Sequence, residues 1–523
     1  AADAAVAEEV RLADSRTDLE GGFVLPGLAD AHIHVYHMGE NLHCLNLEGC
    51  TSIQELKDRL AQFAQEHAER DWILGVGWDH EKMGGTLPSR QDLDEAAPGI
   101  KVFMWRVCFH IAVASTAAFT ACEVPLVDPP QVSGGHVDVD HKGSVTGILR
   151  EAATDLIAGH ISEPSEDVRC DYLVDGLTEC LRAGLTSVQT NDMNTLEVYK
   201  RLDQEGRLPI RVHLTEDPNE MSGPYVSDSG MLACTRVKIF TDGALGANTA
   251  ALRDPDGSHH GILIHPQEEL DQLVAKATAN GMQVEAHAIG DAAAEAALSA
   301  FAKAGLNGVK RPVLTHCQVL GTDLIQRMAE LGVVANVQPT FVPTDAAWVK
   351  QRIPAAKIPT SYCWNTLLEA GIQVSGSSDC PVETCRPLQG LFDAIFRPAS
   401  HMNSPPVTDA DVFLPDERLP FHRALHLYTQ GAQYATFKDT TRGRIEPGFD
   451  ADLTVLDRDV ATDPASLTSA KVQFVVVGGK VRFSHREPGE ELPSVPRNNG
   501  PFAAGKGGDP LQRCRCPHRH THR

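Results

Sequence analysis

The sequence predicts an α/β protein: a (β/α)8 TIM-like barrel with an inserted subdomain and a small, incomplete β-sandwich domain. Three observations predict it. Eight short apolar runs suit buried parallel strands, and helical patterns often separate them. The first run ends in His32-Ile33-His34, and four later runs end in or near a Lys, His or Asp. The stretch between the first and second runs, about 40–165, is too long for a simple crossover and reads as an insertion.

The runs are Leu28–His34, Leu185–Gln189, Ile210–Leu214, Val237–Phe240, Val284–His287, Val313–His316, Val333–Val337 and Ile372–Ser375. Eight strands close a parallel barrel whose active site lies at the strands' C-terminal ends. Within the insertion, Ser52 and Glu55 have capping-box spacing, and Ile53, Leu56, Leu60 and Phe63 recur at helical intervals, predicting a helix over 52–68. Strands follow at Trp72–Trp78 and Lys101–Cys108. Pro266 suits a first helical turn and Gly281 a stop, and Asp291 suits an N-cap of the Ala-rich helix to Lys303. The barrel region is read as 23–440 and a small β domain as 441–484, where Gly-punctuated strand pairs appear. Pro, Gly, Asn and Arg then dominate 485–523, predicting a disordered tail.

Hydrophobic residues make up 42% of the 523 and charged residues 22%, an ordinary globular composition without an apolar run long enough to span a membrane. With 46 basic and 70 acidic residues, the net charge of -24 disfavours nucleic acid and anionic membrane as partners. A small-molecule substrate fits better, and assembly into a homo-oligomer stays open. The 13 cysteines form no framework; Cys108, Cys317 and Cys363 lie in apolar segments and read as reduced buried thiols, hence a cytoplasmic location.

His32 and His34, two apart on a strand, share one face and can share one metal. Lys238 lies in the apolar run Val237-Lys-Ile-Phe240, where an ammonium is costly to bury. Two readings stay open for it: a snorkelling or acid-paired lysine, or a carbamate formed with carbon dioxide that bridges two cations. His287, His316 and Asp379 each allow a structural reading alone, but all three fall where a barrel carries its active site. Together these six residues supply ligands for two divalent metal ions. Zinc (Zn2+) suits them, without excluding manganese, iron or cobalt. Two such ions about 3.5–4 Å apart lower the pKa of a shared water, and Asp379 takes and later returns its proton. His110, in the insertion, is a candidate for carbonyl orientation or substrate contact, with a structural role as the alternative. Trp72, Trp78 and Trp105 either line an apolar pocket or pack in a core.

These motifs resemble the amidohydrolase superfamily, specifically the amidohydrolase-3 branch that includes N-substituted formamide deformylases. The matching pieces are Phe23-Val-Leu-Pro-Gly-Leu-Ala-Asp-Ala-His-Ile-His34, Gly77-Trp-Asp79 with Pro88–Asp94, His110 and Val237–Gly246. They continue with Glu285–Asp291, Thr315–Gln318, Gly376–Asp379 and Pro447–Asp452. The resemblance implies His32 and His34 as first-strand ligands and Lys238 as the bridging ligand. It implies His287 and His316 on the second ion, and Asp379 as eighth-strand ligand and proton shuttle. The implied reaction is hydrolysis of a non-peptide carbon–nitrogen bond in a small amide or formamide. A cyclic amide or an ester could meet the same site, and a non-catalytic barrel scaffold is the rival from another class.

Members of the branch usually place several β-strands before the Pro-Gly-Leu-Ala-Asp segment. Here 1–22 reads as a remnant of the β domain or a leader, so the strands near 452–457 and 473–482 are expected to lack partners. The tail Cys514–His522 could bind a soft metal on spacing alone, but reads better as an accidental pattern.

Overall fold

The computed structural model describes residue 19 and residues 21–68, 70–107, 110–161 and 164–485. Cys108, most of the 1–22 segment and the Cys/His-rich tail lie outside the described residues.

The eight expected strands form at Leu28–Ile33, Leu185–Thr190, Arg211–Glu216, Leu232–Phe240, Gln283–Ala288, Val313–His316, Val334–Val337 and Val374–Gly376. They neighbour one another in chain order, giving a near-closed eight-stranded parallel barrel. The seam between the last and first strands is held by other groups. Asn336 Nδ2 donates to Ala31 O at 2.7 Å, Ser378 N to Asp30 Oδ1 at 3.2 Å, and Asp379 N to His32 O at 2.9 Å. The last strand is three residues long, so the chain just after it takes over the pairing and brings Asp379 beside His32.

By packing, the chain divides into two units. Among the described residues, one holds those up to His32, Cys180–Gln189 and Val237 to His485; the other holds those within Ile33–Glu179 and Thr190–Arg236.

In the first unit a four-stranded antiparallel sheet has the order Phe23–Pro26, Leu453–Leu456, Val472–Val477, Lys480–Ser484. This corrects the expectation that the C-terminal strands lack partners. Phe23–Pro26, just ahead of Gly27, pairs with the first of them, with Phe23 opposite Leu456 and Pro26 opposite Leu453. Pro26 is tolerated because, among the described residues, its strand lies at the sheet edge. Gly27 then passes between Thr186 and Asp452, where a Cβ would meet the Thr186 side chain at 2.4 Å. Its N–H donates to Asp452 O at 2.8 Å.

Helix starts differ from expectation by one residue. Pro266 is the N-cap of Gln267–Ala279, and Gly290 rather than Asp291 caps Asp291–Lys303. A Cβ at Gly290 would lie 1.9 Å from Ala251 O. The Asp291 carboxylate is engaged elsewhere: Oδ1 accepts from Arg253 N, and Oδ2 pairs with Lys357.

Helix Pro387–Phe396 buries Asp393 completely. Its Oδ1 accepts from Gln389 Nε2 at 3.0 Å, whereas Oδ2 has no hydrogen-bond partner. Burial pushes this carboxyl up to about 8, against the pull of the Gln389 hydrogen bond and with help from the Glu383 charge. The unfolded chain releases the proton near 3.8 while the folded chain keeps it until about 8. Across that window the unfolded state binds fewer protons, so stability falls as pH rises and levels off above it. Asp393→Asn is expected to remove this slope, so that the urea-midpoint difference between variant and wild type moves in the variant's favour from pH 5 to pH 9. A constant difference would show that Asp393 does not resist ionisation.

The second unit contains a six-stranded sheet in the order Leu45–Asn46, Trp72–Trp78, Lys101–Arg106, Ile111–Ala114, Val145–Glu151, Gly135–Val139. Helix Ile53–Glu66 forms as expected, with Ser52 Oγ accepting from Glu55 N at 3.1 Å. The Glu55 carboxylate accepts from Thr51 N and Arg59 Nη2. The three tryptophans are core residues: Trp72 and Trp105 pack in one cluster, Trp78 in another. Strict alternation would place Trp72 and Trp78 on one face. A register shift between Val76 and Trp78, with Gly77 at φ +94°, turns Trp78 to the other face. Its Nε1 donates to Met104 O at 2.9 Å. Among the described residues no helix is long and apolar enough to cross a membrane. Cys317 and Cys363 are free, buried thiols.

Candidate metal centre

The first barrel strand ends at Ile33, so His32 lies on it and His34 follows as the N-cap of helix Val35–Leu42. The strand is thus one residue shorter than expected, yet both imidazoles serve one place. One donor atom each from His32, His34 and Asp379 lie within 4.8 Å of one another, and all three residues are buried. Asp379 Oδ1 stands 3.3 Å from His32 Nε2. Asp379 has φ +58°, a left-handed conformation that Asp adopts more readily than most residues. The strained turn aims its carboxylate back at the first strand.

Beneath this turn Asp30 Oδ1 accepts from the N–H groups of His32 and Ser378. Burial raises its carboxyl to about 7 despite those hydrogen bonds.

Three further expected residues join the cluster from strands four, five and six. The His316 ring lies 4.4 Å from that of His287 and 5.6 Å from that of His32, centroid to centroid. Lys238 is fully buried, and its Nζ donates to Glu285 Oε1 at 2.8 Å. Of the two readings of this lysine, the acid-paired one describes its contact here. His316 (φ +81°) and Cys317 (φ +49°) are both left-handed at the end of strand six, a second strained corner. His110 immediately precedes strand Ile111–Ala114 of the second unit's sheet; it is exposed, and its Nδ1 lies 2.9 Å from Glu151 Oε2.

The hydrogen bonds around the histidines suit metal ligation. His34 Nδ1 faces Asn191 O at 2.9 Å, His287 Nε2 faces Gly243 O at 3.1 Å, and His316 Nδ1 faces Gln338 Oε1 at 2.9 Å. A carbonyl oxygen only accepts, so each contact places a proton on the nitrogen that faces it. The other nitrogen of each neutral ring keeps its lone pair for an ion. Gln338 is itself oriented by donating Nε2 to Ser377 Oγ at 2.9 Å. Burial holds His316 well below the usual imidazole range, and the neighbouring His287 adds to this. His32 is the exception. Burial and Lys238 pull its imidazolium down, but hydrogen bonds to Asp379 and Glu285 outweigh them and leave its pKa raised.

Sequence reasoning missed Glu285, Asn191 and Gln338. Glu285 carried the same signal as the first-strand pair: it stands two residues before His287 and so shares its face of strand five. Asn191 enters through a backbone carbonyl, which no side-chain pattern announces.

Comparison with known proteins agrees with this geometry. Residues 17–483 match the sequence profile described as the Amidohydrolase family. The chain is 34% identical over 491 residues to YtcJ of Bacillus subtilis (strain 168), which bears a provisional amidohydrolase name, covering 89% of this chain and 90% of that one. It is 26% identical over 496 residues to the N-substituted formamide deformylase of Arthrobacter pascens, with 89% of each chain covered. Among solved structures, an uncharacterized metal-dependent hydrolase from Pyrococcus horikoshii OT3 superposes with a TM-score of 0.72 at 29% identity. That superposition covers 87% of this chain and 90% of the other. A profile match across most of the chain, on a barrel of matching architecture, shows that this protein belongs to the amidohydrolase family.

Proposed function

We propose that this protein is a metal-dependent hydrolase that cleaves a non-peptide carbon–nitrogen bond, amide or N-formyl, in a small molecule. The observation that carries the reading is the convergence of His32, His34 and Asp379 donor atoms within 4.8 Å, buried at one end of the barrel strands. These three would hold one divalent ion. His287 and His316 would hold a second, with Lys238, carbamylated by carbon dioxide, as the ligand shared between them. Zinc suits the nitrogen-rich donors. Carbamylation joins the Nζ lone pair to the carbon of carbon dioxide and releases protons, so Lys238 must first give up the ammonium form that pairs with Glu285.

Bound ions would lower the pKa of a water and polarise the substrate carbonyl. The chain's own residues do the rest. The Asp379 carboxylate takes the proton of the attacking water and returns it to the leaving nitrogen. Its left-handed backbone and its N–H bond to His32 O hold it for that task. Phe341 lies near-parallel to the His316 ring, with centroids 6.3 Å apart at 14°. His110, oriented by Glu151, would contact the substrate. The formamide class is supported by the name of the Arthrobacter relative.

Elemental analysis of protein purified without chelator and supplied with bicarbonate tests the reading. About two zinc per chain, with turnover of N-formyl or N-acyl amines, is the expected result. A single ion per chain would remove the carbamate bridge. No metal after reconstitution would overturn the function.

A further inference from the structure

We propose that Glu285 is the positioning residue of the metal centre, setting the His32 ring for ligation from behind while anchoring Lys238. The inference rests on the metal-centre reading above and adds to it a residue outside the ligand set.

Glu285 is fully buried on strand five, on the face that carries His287. Its Oε1 gathers three donors: Lys238 Nζ at 2.8 Å, Thr315 Oγ1 at 2.7 Å and His32 Nδ1 at 3.1 Å. Thr315 reaches it from strand six, whose register sets Thr315 opposite His287. A carboxylate removed from water needs such partners, because an unpaired buried charge is strongly destabilising. A charge partner for Lys238 would need only the lysine contact. The approach to His32 Nδ1 is additional, and it has a chemical consequence.

An imidazole can ligate only through a nitrogen that carries no proton. With its proton on Nδ1, facing Glu285, His32 keeps the Nε2 lone pair on the side of Asp379. A carboxylate in that position fixes the tautomer and the ring angle and makes the ligating nitrogen more basic. His34 and His316 receive the same service from neutral carbonyl groups, and His287 Nε2 faces both Gly243 O and, at 3.3 Å, the Asp242 carboxylate. Glu285 gives His32 a charged partner of the kind that Asp242 gives His287. The same oxygen holds Lys238, so one side chain orients a ligand of the first ion and the residue proposed to join the two. Because a carbamate nitrogen retains one N–H, contact with Glu285 is compatible with a carbamylated lysine.

The test compares wild type with E285Q and E285D. Zinc affinity is read by competition with a chelator, and ligand geometry by the visible spectrum of the Co2+-loaded protein. E285Q keeps the volume and removes the charge; it is expected to bind zinc about 10- to 100-fold more weakly, with an altered cobalt spectrum. E285D keeps the charge beside Lys238 but withdraws it from His32, and is expected to recover part of the affinity. It carries the test should E285Q fail to fold. Unchanged affinity and spectrum in E285Q or E285D would overturn the role of Glu285 while leaving the metal centre standing. A wild-type protein that takes up no zinc would overturn both.

Discussion

Asp379→Asn lowers turnover by about 10²- to 10⁴-fold, the range for removing a positioned acid–base group, while the protein stays folded and keeps much of its metal. The separation of the two effects follows from the site. Asn is close to Asp in size and also tolerates a left-handed backbone, so the φ of +58° and the N–H bond to His32 O survive. The amide oxygen remains a weak ligand beside His32 and His34, but it cannot accept and return a proton at neutral pH. Both readouts are needed: kcat for the best N-formyl or N-acyl substrate, and metal per chain. A variant with near-native kcat would take Asp379 out of proton transfer. One that loses its metal completely would show that the carboxylate acts first as a ligand.

Lys238→Ala has a larger structural effect and an equally large functional one. Lys238 and Glu285 are each buried within 1% of full, and removing the lysine takes the ammonium from a buried carboxylate that keeps Thr315 and His32 as donors. Breaking a buried pair from one side costs about 3–5 kcal/mol, measurable as a shift in denaturant midpoint. On the proposed carbamate role, metal falls to one ion per chain or fewer and activity is lost, with partial rescue by a short carboxylate that occupies the emptied space. Full metal content and activity in a stable variant would leave Lys238 as a plain ion-pair residue. Loss of stability with unchanged metal stoichiometry would confine it to holding Glu285.

Much of the barrel was legible because its signals are local. All eight strands form within a few residues of the apolar runs that announced them, and His32, Lys238, His287, His316 and Asp379 gather on that frame. Less legible were features set by strain or by distant chain. The bulge at Gly77 reversed the face of Trp78, because one irregular residue breaks the period-two reading that alternation assumes. Asp291 looked like a helix cap but spends its carboxylate on Arg253 and Lys357, which lie far along the chain.

The sequence by itself determined the (β/α)8 architecture, the family resemblance and the residue types of the site, since apolar periodicity and short motifs act over a few neighbouring residues. Only the tertiary structure decided how those residues are paired. It set Phe23–Pro26 against Leu453–Leu456, giving a C-terminal strand a partner that the sequence had not announced. It closed the barrel seam through Asn336, Ser378 and Asp379, and it brought Glu285 against both Lys238 and His32. The physical reason is common to all three: hydrogen bonds and ion pairs between remote segments depend on where the backbone brings them, and no local pattern records that meeting.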